Sequence, residues 1–597
     1  MGQIEVEFQP IGRRVSCAPG ESLLSAAQRC GVMLTAVCGG DGVCGRCVVR
    51  VMSGQVSLPN QTEEAELGDK TQAGWRLACQ TAALSDVLVH VPPGSLVTAQ
   101  RTQTEGQGLE VALEPSVRAV EAHLVPPSLD DVRSDARRLA DAIGVPDLVT
   151  PLPVLHSLSG DLRRQGFRTS VFLRGREVAG IRPAGTAPLG LAVDLGTTKL
   201  AGYLADLSTG KTLALAGAMN PQIAYGEDVM ARIGYALSSP GGAEELRQTI
   251  VQALNDLAGS LCSQASRIVL DIAEAVVVGN TAMHHLFLGL PVRQLGLAPY
   301  VAAESAALDL PAATAGLELA PGANLHLLPN ISGFVGADHV AMLLGAGFVD
   351  LAGVVLGMDI GTNTEISLLA HGRHLACSTA SGPAFEGAHI RHGMRAARGA
   401  IEKVLIHEDR VSIQTVEGAA PAGLCGSGIL DLTAQMLRAG ILNSRGAMLK
   451  HHPRVRPGQD GLEYVVIPGD ELGAGEITFS RSDVNEIQLA KGAMRAGINI
   501  LLQRAGISEA EIDLVIIAGA FGTYLDVQSG IDIGMLPRLK RSRFQQVGNA
   551  AGAGARMALL SLAQRRLASQ IAENVEYVEL TAEKNFSATF ARALLLE

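Results

Sequence analysis

The sequence predicts a multidomain α/β protein, and three features predict it. Cys38, Cys44, Cys47 and Cys79 stand near the N-terminus in the spacing C-x5-C-x2-C-x31-C. Two Asp-x-Gly-Thr turns, at Asp194 and Asp359, each close a hydrophobic run, and they lie 165 residues apart. A third run, LVIIAGAFG at 514–522, ends in a glycine turn. At 597 residues the chain is too long for one core. Its 47% hydrophobic and 18% charged residues, with 68 glycines, describe a globular α/β protein rich in tight turns.

The formal net charge is −11 and no block of Lys and Arg stands out, which argues against nucleic acid and anionic membranes as partners. The N-terminal MGQIEVEFQPIGRR has no apolar signal core, and Val6 breaks the myristoylation pattern. The apolar segment 341–358 is interrupted by Asp350 and several glycines, so no membrane span is expected. Nine cysteines is an odd number, and four of them have ligand spacing, so a reducing cytoplasm is expected.

The first domain reads from residue 3. IEVEF and RRVSC form a hairpin, GESLLSAAQRCG a short helix closed by Gly31, and CVVRVMSG a strand after the cysteine loop. Three sulfurs must converge within ten residues of CGGDGVCGRC, which needs glycine's backbone freedom. Cys79, beyond the sole tryptophan Trp75, supplies a distant fourth ligand. Zinc sites usually present two C-x2-C pairs and this chain has one, so the spacing predicts a [2Fe–2S] cluster on Cys38, Cys44, Cys47 and Cys79. Cys17 and Cys30 read as small core residues. GDGVCG matches G-x-G-x-x-G, but with no helix behind it a dinucleotide site is rejected. The order of strand, helix and Cys-rich loop resembles the β-grasp fold of plant-type and adrenodoxin-type ferredoxins.

Residues 92–110 are polar and turn-rich and predict a tether with a reach of about 20–25 Å if unstructured. Helices are expected over 128–144, with Ser128 as N-cap and Asp131 at N3, and over 152–166. A hairpin turns at Arg174-Gly175.

From residue 190 the plan of strand, tight turn and strand occurs twice, indicating an internal duplication. In each turn Gly-Thr leaves backbone N–H groups and hydroxyls facing a phosphate, and the aspartate is placed to hold hydrated Mg2+. These turns nominate Asp194, Gly196, Thr197, Thr198 and Lys199, and Asp359, Gly361, Thr362 and Asn363, as halves of an ATP site with Asp194 and Asp359 catalytic. Gly519 and Gly522 would let an adenosine approach the backbone. Gly426, Ser427 and Gly428 open a helix and suit a phosphate; Lys491, on the helical pattern 488–506, is a further nucleotide contact. Asn280 and His284, Cys377 and Cys425 are expected to serve packing.

Residues 190–597 resemble the actin/sugar kinase/Hsp70 superfamily, with Asp194–Lys199 and Asp359–Glu365 as its phosphate motifs and Ile517–Gly522 as its adenosine motif. Joined to a ferredoxin module, the whole chain resembles the reductive activators of corrinoid proteins. The resemblance implies an N-terminal β-grasp ferredoxin domain (1–92), a linker (93–125), a small α/β middle domain (126–186) and a C-terminal duplicated actin-like ATPase fold (187–597). It implies ATP-dependent reduction of Co(II) to Co(I) in a corrinoid-binding protein of a methyltransferase system, with an external electron donor; dimerisation is left open. The loop 380–388 follows the second phosphate hairpin, and its Ser381 and Glu386 are expected to approach the partner. The alternatives are an ATP-driven electron donor to another low-potential enzyme, a redox-regulated small-molecule kinase, and a chaperone-like binding module.

Overall fold

The computed structural model describes residues 3–9, 13–30, 32, 34, 47–92, 95, 111–226, 228–407, 410–459, 461–469, 475–519, 521–522 and 524–597. The N-terminal domain contains β1 (Ile4–Gln9), β2 (Arg13–Cys17), α1 (Leu23–Arg29), β3 (Val48–Ser53), α2 (Gln61–Leu67), β4 (Trp75–Leu77) and β5 (Val87–His90). The sheet order is β2-β1-β5-β3-β4, with β1 and β5 parallel at its centre. The Ser22 hydroxyl accepts from the Ser25 N–H and starts α1, which buries Leu23, Leu24, Ala26 and Ala27. The helix ends at Cys30; Gly31, expected to close it, lies outside the described residues.

A second unit holds β6 (Val117–His123), α3 (Asp135–Ile143), α4 (Leu152–Arg164), β7 (Arg168–Arg174) and β8 (Glu177–Pro183). Its sheet runs β6-β7-β8, antiparallel throughout, and Leu139, Leu158 and Leu162 of the helices share a core with Val171 and Leu173. Two expectations are corrected here. β6 falls within 93–125, so a boundary at 125 cuts a sheet. α3 is capped by Ser134 rather than Ser128, because Arg133 and Arg138 take the Asp131 carboxylate that would have completed the earlier cap.

Two lobes follow. The first comprises β9 (Leu189–Leu195), β10 (Lys199–Asp206), β11 (Thr212–Met219), α5 (Val229–Ser238), α6 (Gly242–Gln264), β12 (Ile272–Gly279), α7 (Thr281–Leu288), β13 (Leu308–Pro311), β14 (Asn324–Leu327) and α8 (Ala337–Gly345). The second begins with β15 (Val355–Ile360), β16 (Thr364–Ala370) and β17 (Arg373–Thr379). It continues with β18 (Ala400–His407), β19 (Arg410–Thr415), β20 (Gly423–Leu424), α9 (Gly426–Arg438), β21 (Val455–Gly458), β22 (Gly461–Ile467), β23 (Ile477–Ser480) and α10 (Arg481–Ala505). β24 (Leu514–Ala518), α11 (Val527–Asp532), β25 (Phe544–Gly548), α12 (Ala550–Leu560), α13 (Leu562–Asn574), β26 (Glu576–Tyr577) and α14 (Phe586–Ala593) complete it.

The duplication is visible in the sheets. The first orders its strands β11-β10-β9-β12-β14-β13 and the second β26-β17-β16-β15-β24-β25. Each is an antiparallel meander whose first strand pairs in parallel with a later strand on its other side. Each lobe then sends out one helix, α8 or α12, and the two meet backbone to backbone. A Cβ on Gly345 would lie 2.3 Å from the Ala550 carbonyl oxygen, and one on Gly554 would lie 1.9 Å from that of Ala341. Among the described residues no helix is long and apolar enough to cross a membrane.

Candidate functional site

In the N-terminal domain Cys47 lies at the start of β3 and Cys79 just after β4. The pairing of these strands, continued by the Ala78 N–H to the Cys47 carbonyl at 2.9 Å, brings the two Sγ atoms to 3.4 Å without a disulfide. Two thiols from distant segments, held this close and not bonded to each other, fit the donor set of an iron–sulfur cluster. Cys38 and Cys44 lie outside the described residues. The Cys79 turn is held by a buried carboxylate. Glu63 accepts from Arg76 Nη2 at 2.8 Å, from the Leu77 N–H at 3.0 Å and from Thr81 Oγ1 at 2.9 Å. Removing one partner of such a buried pair costs about 3–5 kcal/mol. Cys17 is buried in the domain core and Cys30 packs against it.

The second site is a cavity of about 220 Å³ between the lobes, lined by both phosphate turns. Thr198 Oγ1 and Thr362 Oγ1, one from each turn, are 3.3 Å apart. The first turn is fixed from behind. The Asn220 N–H donates to the Thr198 carbonyl and its Nδ2 to the Gly196 carbonyl, both at 2.9 Å. The fully buried Arg232 donates to the Thr197 carbonyl at 2.5 Å. The second turn is braced by Ser381, whose hydroxyl donates to the Gly361 and Thr362 carbonyls at 3.3 and 3.2 Å. Glu386 accepts from Thr362 Oγ1 at 2.6 Å.

Carboxylates gather on one wall: Asp194, Asp338, Asp359 and Glu365 all line the cavity. Burial, opposed by a hydrogen bond from Asn549 Nδ2, pushes Asp194 up to about 6. Burial, with repulsion from Asp338 and Asp194, pushes Asp359 up to about 8. Burial, with repulsion from Asp338 and Asp359, holds Glu365 well above the carboxylate range. Such a wall favours a cation. Among the described residues no three Asp, Glu, His or Cys side chains form a metal cage, so Mg2+ here would complete its shell with water and phosphate oxygens. Lys199 and Arg395 also line the cavity, and burial followed by repulsion from Arg395 lowers the Lys199 ammonium. Phe385 and Phe521 form an apolar wall, their rings stacked at 4.9 Å.

A pH dependence follows. In the unfolded chain these carboxyls ionise near pH 4, whereas folded Asp194 and Asp359 hold protons to about 6 and about 8. The folded state binds the extra protons, so stability falls as pH rises through this window. The Tm of protein freed of nucleotide and Mg2+ is expected to drop between about pH 4 and 8, with a shallower slope in Asp359→Asn. Equal slopes in the two proteins would refute this origin.

Most nominated residues meet here. Gly196, Thr197, Thr198, Lys199, Gly361, Thr362, Asn363, Gly426, Ser427 and Gly519 line the cavity with Asp194 and Asp359. Gly519, at φ +90°, passes so close to β15 that a Cβ would lie 2.4 Å from the Ile360 carbonyl oxygen. Four expectations are corrected. Lys491 is buried away from the cavity, with its Nζ donating to the Leu595 carbonyl. Gly428 and Gly522 are packing glycines; a Cβ would strike the Ile401 carbonyl oxygen at 2.0 Å and that of Ala518 at 2.3 Å. Ser381 is 4% exposed, so it braces the phosphate turn and presents no surface to a partner. Sequence reasoning did not nominate Asp338, Phe385, Arg395, Phe521 and Asn549 as cavity residues; Asn280 also lines the cavity and caps α7.

A ferredoxin-type iron–sulfur domain joined to a duplicated two-lobed fold with a carboxylate-lined cleft defines an iron–sulfur protein built on an ATPase scaffold. Family models tile the chain: 2Fe-2S iron-sulfur cluster binding domain over 6–84, RACo linker region over 106–187, RACo middle region over 189–350, and C-terminal domain of RACo, the ASKHA domain, over 353–597. The corrinoid activation enzyme RamQ of Eubacterium limosum is 32% identical over 598 residues, covering 96% of this chain and 95% of its own. The [Co(II) methylated amine-specific corrinoid protein] reductase of Methanosarcina barkeri is 25% identical over 417 residues, covering 65% of this chain and 72% of its own. A solved reductive activator for corrinoid, iron-sulfur protein superposes with a TM-score of 0.72 at 34% identity, over 99% of this chain and 98% of that one. The chain belongs to the RACo family. The family's linker model covers the small unit expected as a middle domain, and its middle model covers the first lobe.

Proposed function

We propose that this protein is an ATP-dependent reductive activator that passes an electron from a [2Fe–2S] cluster to Co(II) of a corrinoid protein, restoring Co(I) for methyl transfer. The observation that carries it is the joining, in one chain, of the paired Cys47 and Cys79 thiols to a cleft whose gathered carboxylates favour a cation. The full-length likeness to a corrinoid activation enzyme supports the reading. When bound, the cluster supplies one electron at a time, reloaded by an external donor. Thr198 and Thr362 would grip the phosphates from opposite lobes, Asp194 and Asp359 would hold hydrated Mg2+, and Phe385 and Phe521 would offer an apolar wall to the base. ATP acts through its different affinities for two lobe arrangements, one of which presents a docked corrinoid protein for reduction.

The test is single-turnover reduction of a corrinoid protein by chemically prereduced activator, followed by cobalt absorbance. Co(II) is expected to be consumed at least ~10-fold faster with MgATP than without it, a barrier difference of about 1.4 kcal/mol. Equal rates with and without MgATP would overturn the reading, and a phosphorylated small molecule as product would favour a kinase.

A further inference from the structure

Two arginines of the cluster domain reach different lobes. Arg13, on β2, is 5% exposed; its Nη1 donates to the Gly393 carbonyl at 3.3 Å, and its Nη2 donates to the Ala422 carbonyl at 2.6 Å and lies 3.0 Å from Met394 Sδ. Gly423 leaves it room, since a Cβ there would meet Arg13 Nη1 at 2.6 Å. Arg50, on β3, donates to Tyr225 Oη at 2.9 Å and lies 3.6 Å from Glu245. Glu245 is held in turn by the Tyr225 and Tyr235 hydroxyls at 3.0 and 2.6 Å.

Both docking points adjoin the cleft. Met394 precedes Arg395, and Gly423 lies two residues before Cys425; Arg395 and Cys425 line the cavity. Tyr225 ends the short turn Pro221–Tyr225, which Asn220 opens, and Asn220 holds the first phosphate turn. A rigid domain fastened to both lobes satisfies both contacts at only one lobe angle, because hydrogen bonds weaken steeply with distance and angle. Thr198 and Thr362, 3.3 Å apart, must separate to grip a phosphate between them.

We propose that Arg13 and Arg50 form a two-point dock through which the cluster domain senses the angle between the lobes, so that nucleotide in the cleft releases it toward its electron acceptor. This rests on the reading of the cleft as a nucleotide site. Residues 93–110 join the domain to the rest of the chain, a contour length of about 60 Å. By linkage, a dock that nucleotide opens must in turn weaken nucleotide binding.

Trp75 is the sole tryptophan, and the Arg50 guanidinium lies 6.0 Å from its ring centroid, so its emission reports this dock. The experiment measures Trp75 emission, the radius of gyration by small-angle scattering, and MgATP affinity on full-length cluster-loaded protein. Wild type, Arg50→Gln and Arg13→Ala/Arg50→Gln are compared, with cluster absorbance verifying the fold. Arg50 is partly exposed, so the single variant tests the dock even if the double variant fails to fold. MgATP is expected to shift wild-type emission and enlarge the radius. Both variants should show these changes without nucleotide and bind MgATP at least threefold more tightly. The proposal fails if MgATP binds wild type without moving either readout, or if Arg50→Gln responds and binds as wild type does. Absence of MgATP binding to wild type overturns the nucleotide reading itself, and this inference with it.

Discussion

Replacing Asp359 with Asn is expected to cut MgATP hydrolysis at least ~100-fold while leaving cluster absorbance unchanged. The side chain stands at the end of β15, in the cavity with Asp194 and Asp338. An amide of the same shape removes the charge that would position Mg2+ without opening a void. It also relieves repulsion in the nucleotide-free wall, so the variant is expected to be inactive and yet no less stable. Asp194→Asn should lower turnover comparably, with the difference that Asn549 Nδ2 loses a carboxylate as its acceptor. Phosphate release and thermal melting, measured on the same preparations, test both statements. Wild-type turnover in both variants would remove the two aspartates from the chemistry.

Cys79→Ser is expected to abolish the visible [2Fe–2S] spectrum and, with it, all reduction of a corrinoid protein. The thiol lies 3.4 Å from Cys47 Sγ, and the Glu63–Arg76 pair fixes the preceding strand. Cys47→Ser should behave alike, whereas Cys17→Ser and Cys30→Ser should keep the cluster. MgATP binding should survive all four changes, because the cluster domain and the lobes have separate cores. Iron content, absorbance and nucleotide titration decide the matter; full iron in Cys79→Ser would refute its role as a ligand.

What the sequence made legible was what short segments encode. Each Asp-x-Gly-Thr turn carries its own geometry, so Asp194 and Asp359 were found without knowledge of the tertiary fold. The cysteine spacing marked Cys47 and Cys79, which the fold brings together, in the same way. Asp338 and Asn549 were not legible, because each is an ordinary helix start that becomes a cavity residue only when α8 and α12 meet the opposite lobe. Phe385 and Phe521 come from distant segments and acquire meaning only when stacked. Lys491 misled for the converse reason: periodicity showed that α10 was helical but not which face the cleft would use, and the C-terminal segment claimed the ammonium. Gly428 and Gly522 look like ligand glycines in sequence, yet their bareness accommodates neighbouring backbone. Asp131 completes a cap motif on paper, while two nearby arginines take its carboxylate.

The crossing of α8 and α12 has a mechanical consequence. Each helix is notched by a glycine, Gly345 or Gly554, into which the other's backbone fits. Sliding along either axis would drive carbonyl oxygens into Cα atoms, so the contact resists translation and the lobes keep one point in common. Any change in the angle between the lobes that preserves this contact is a pivot about it, and the cluster domain, held by Arg13 to one lobe and by Arg50 to the other, spans that pivot.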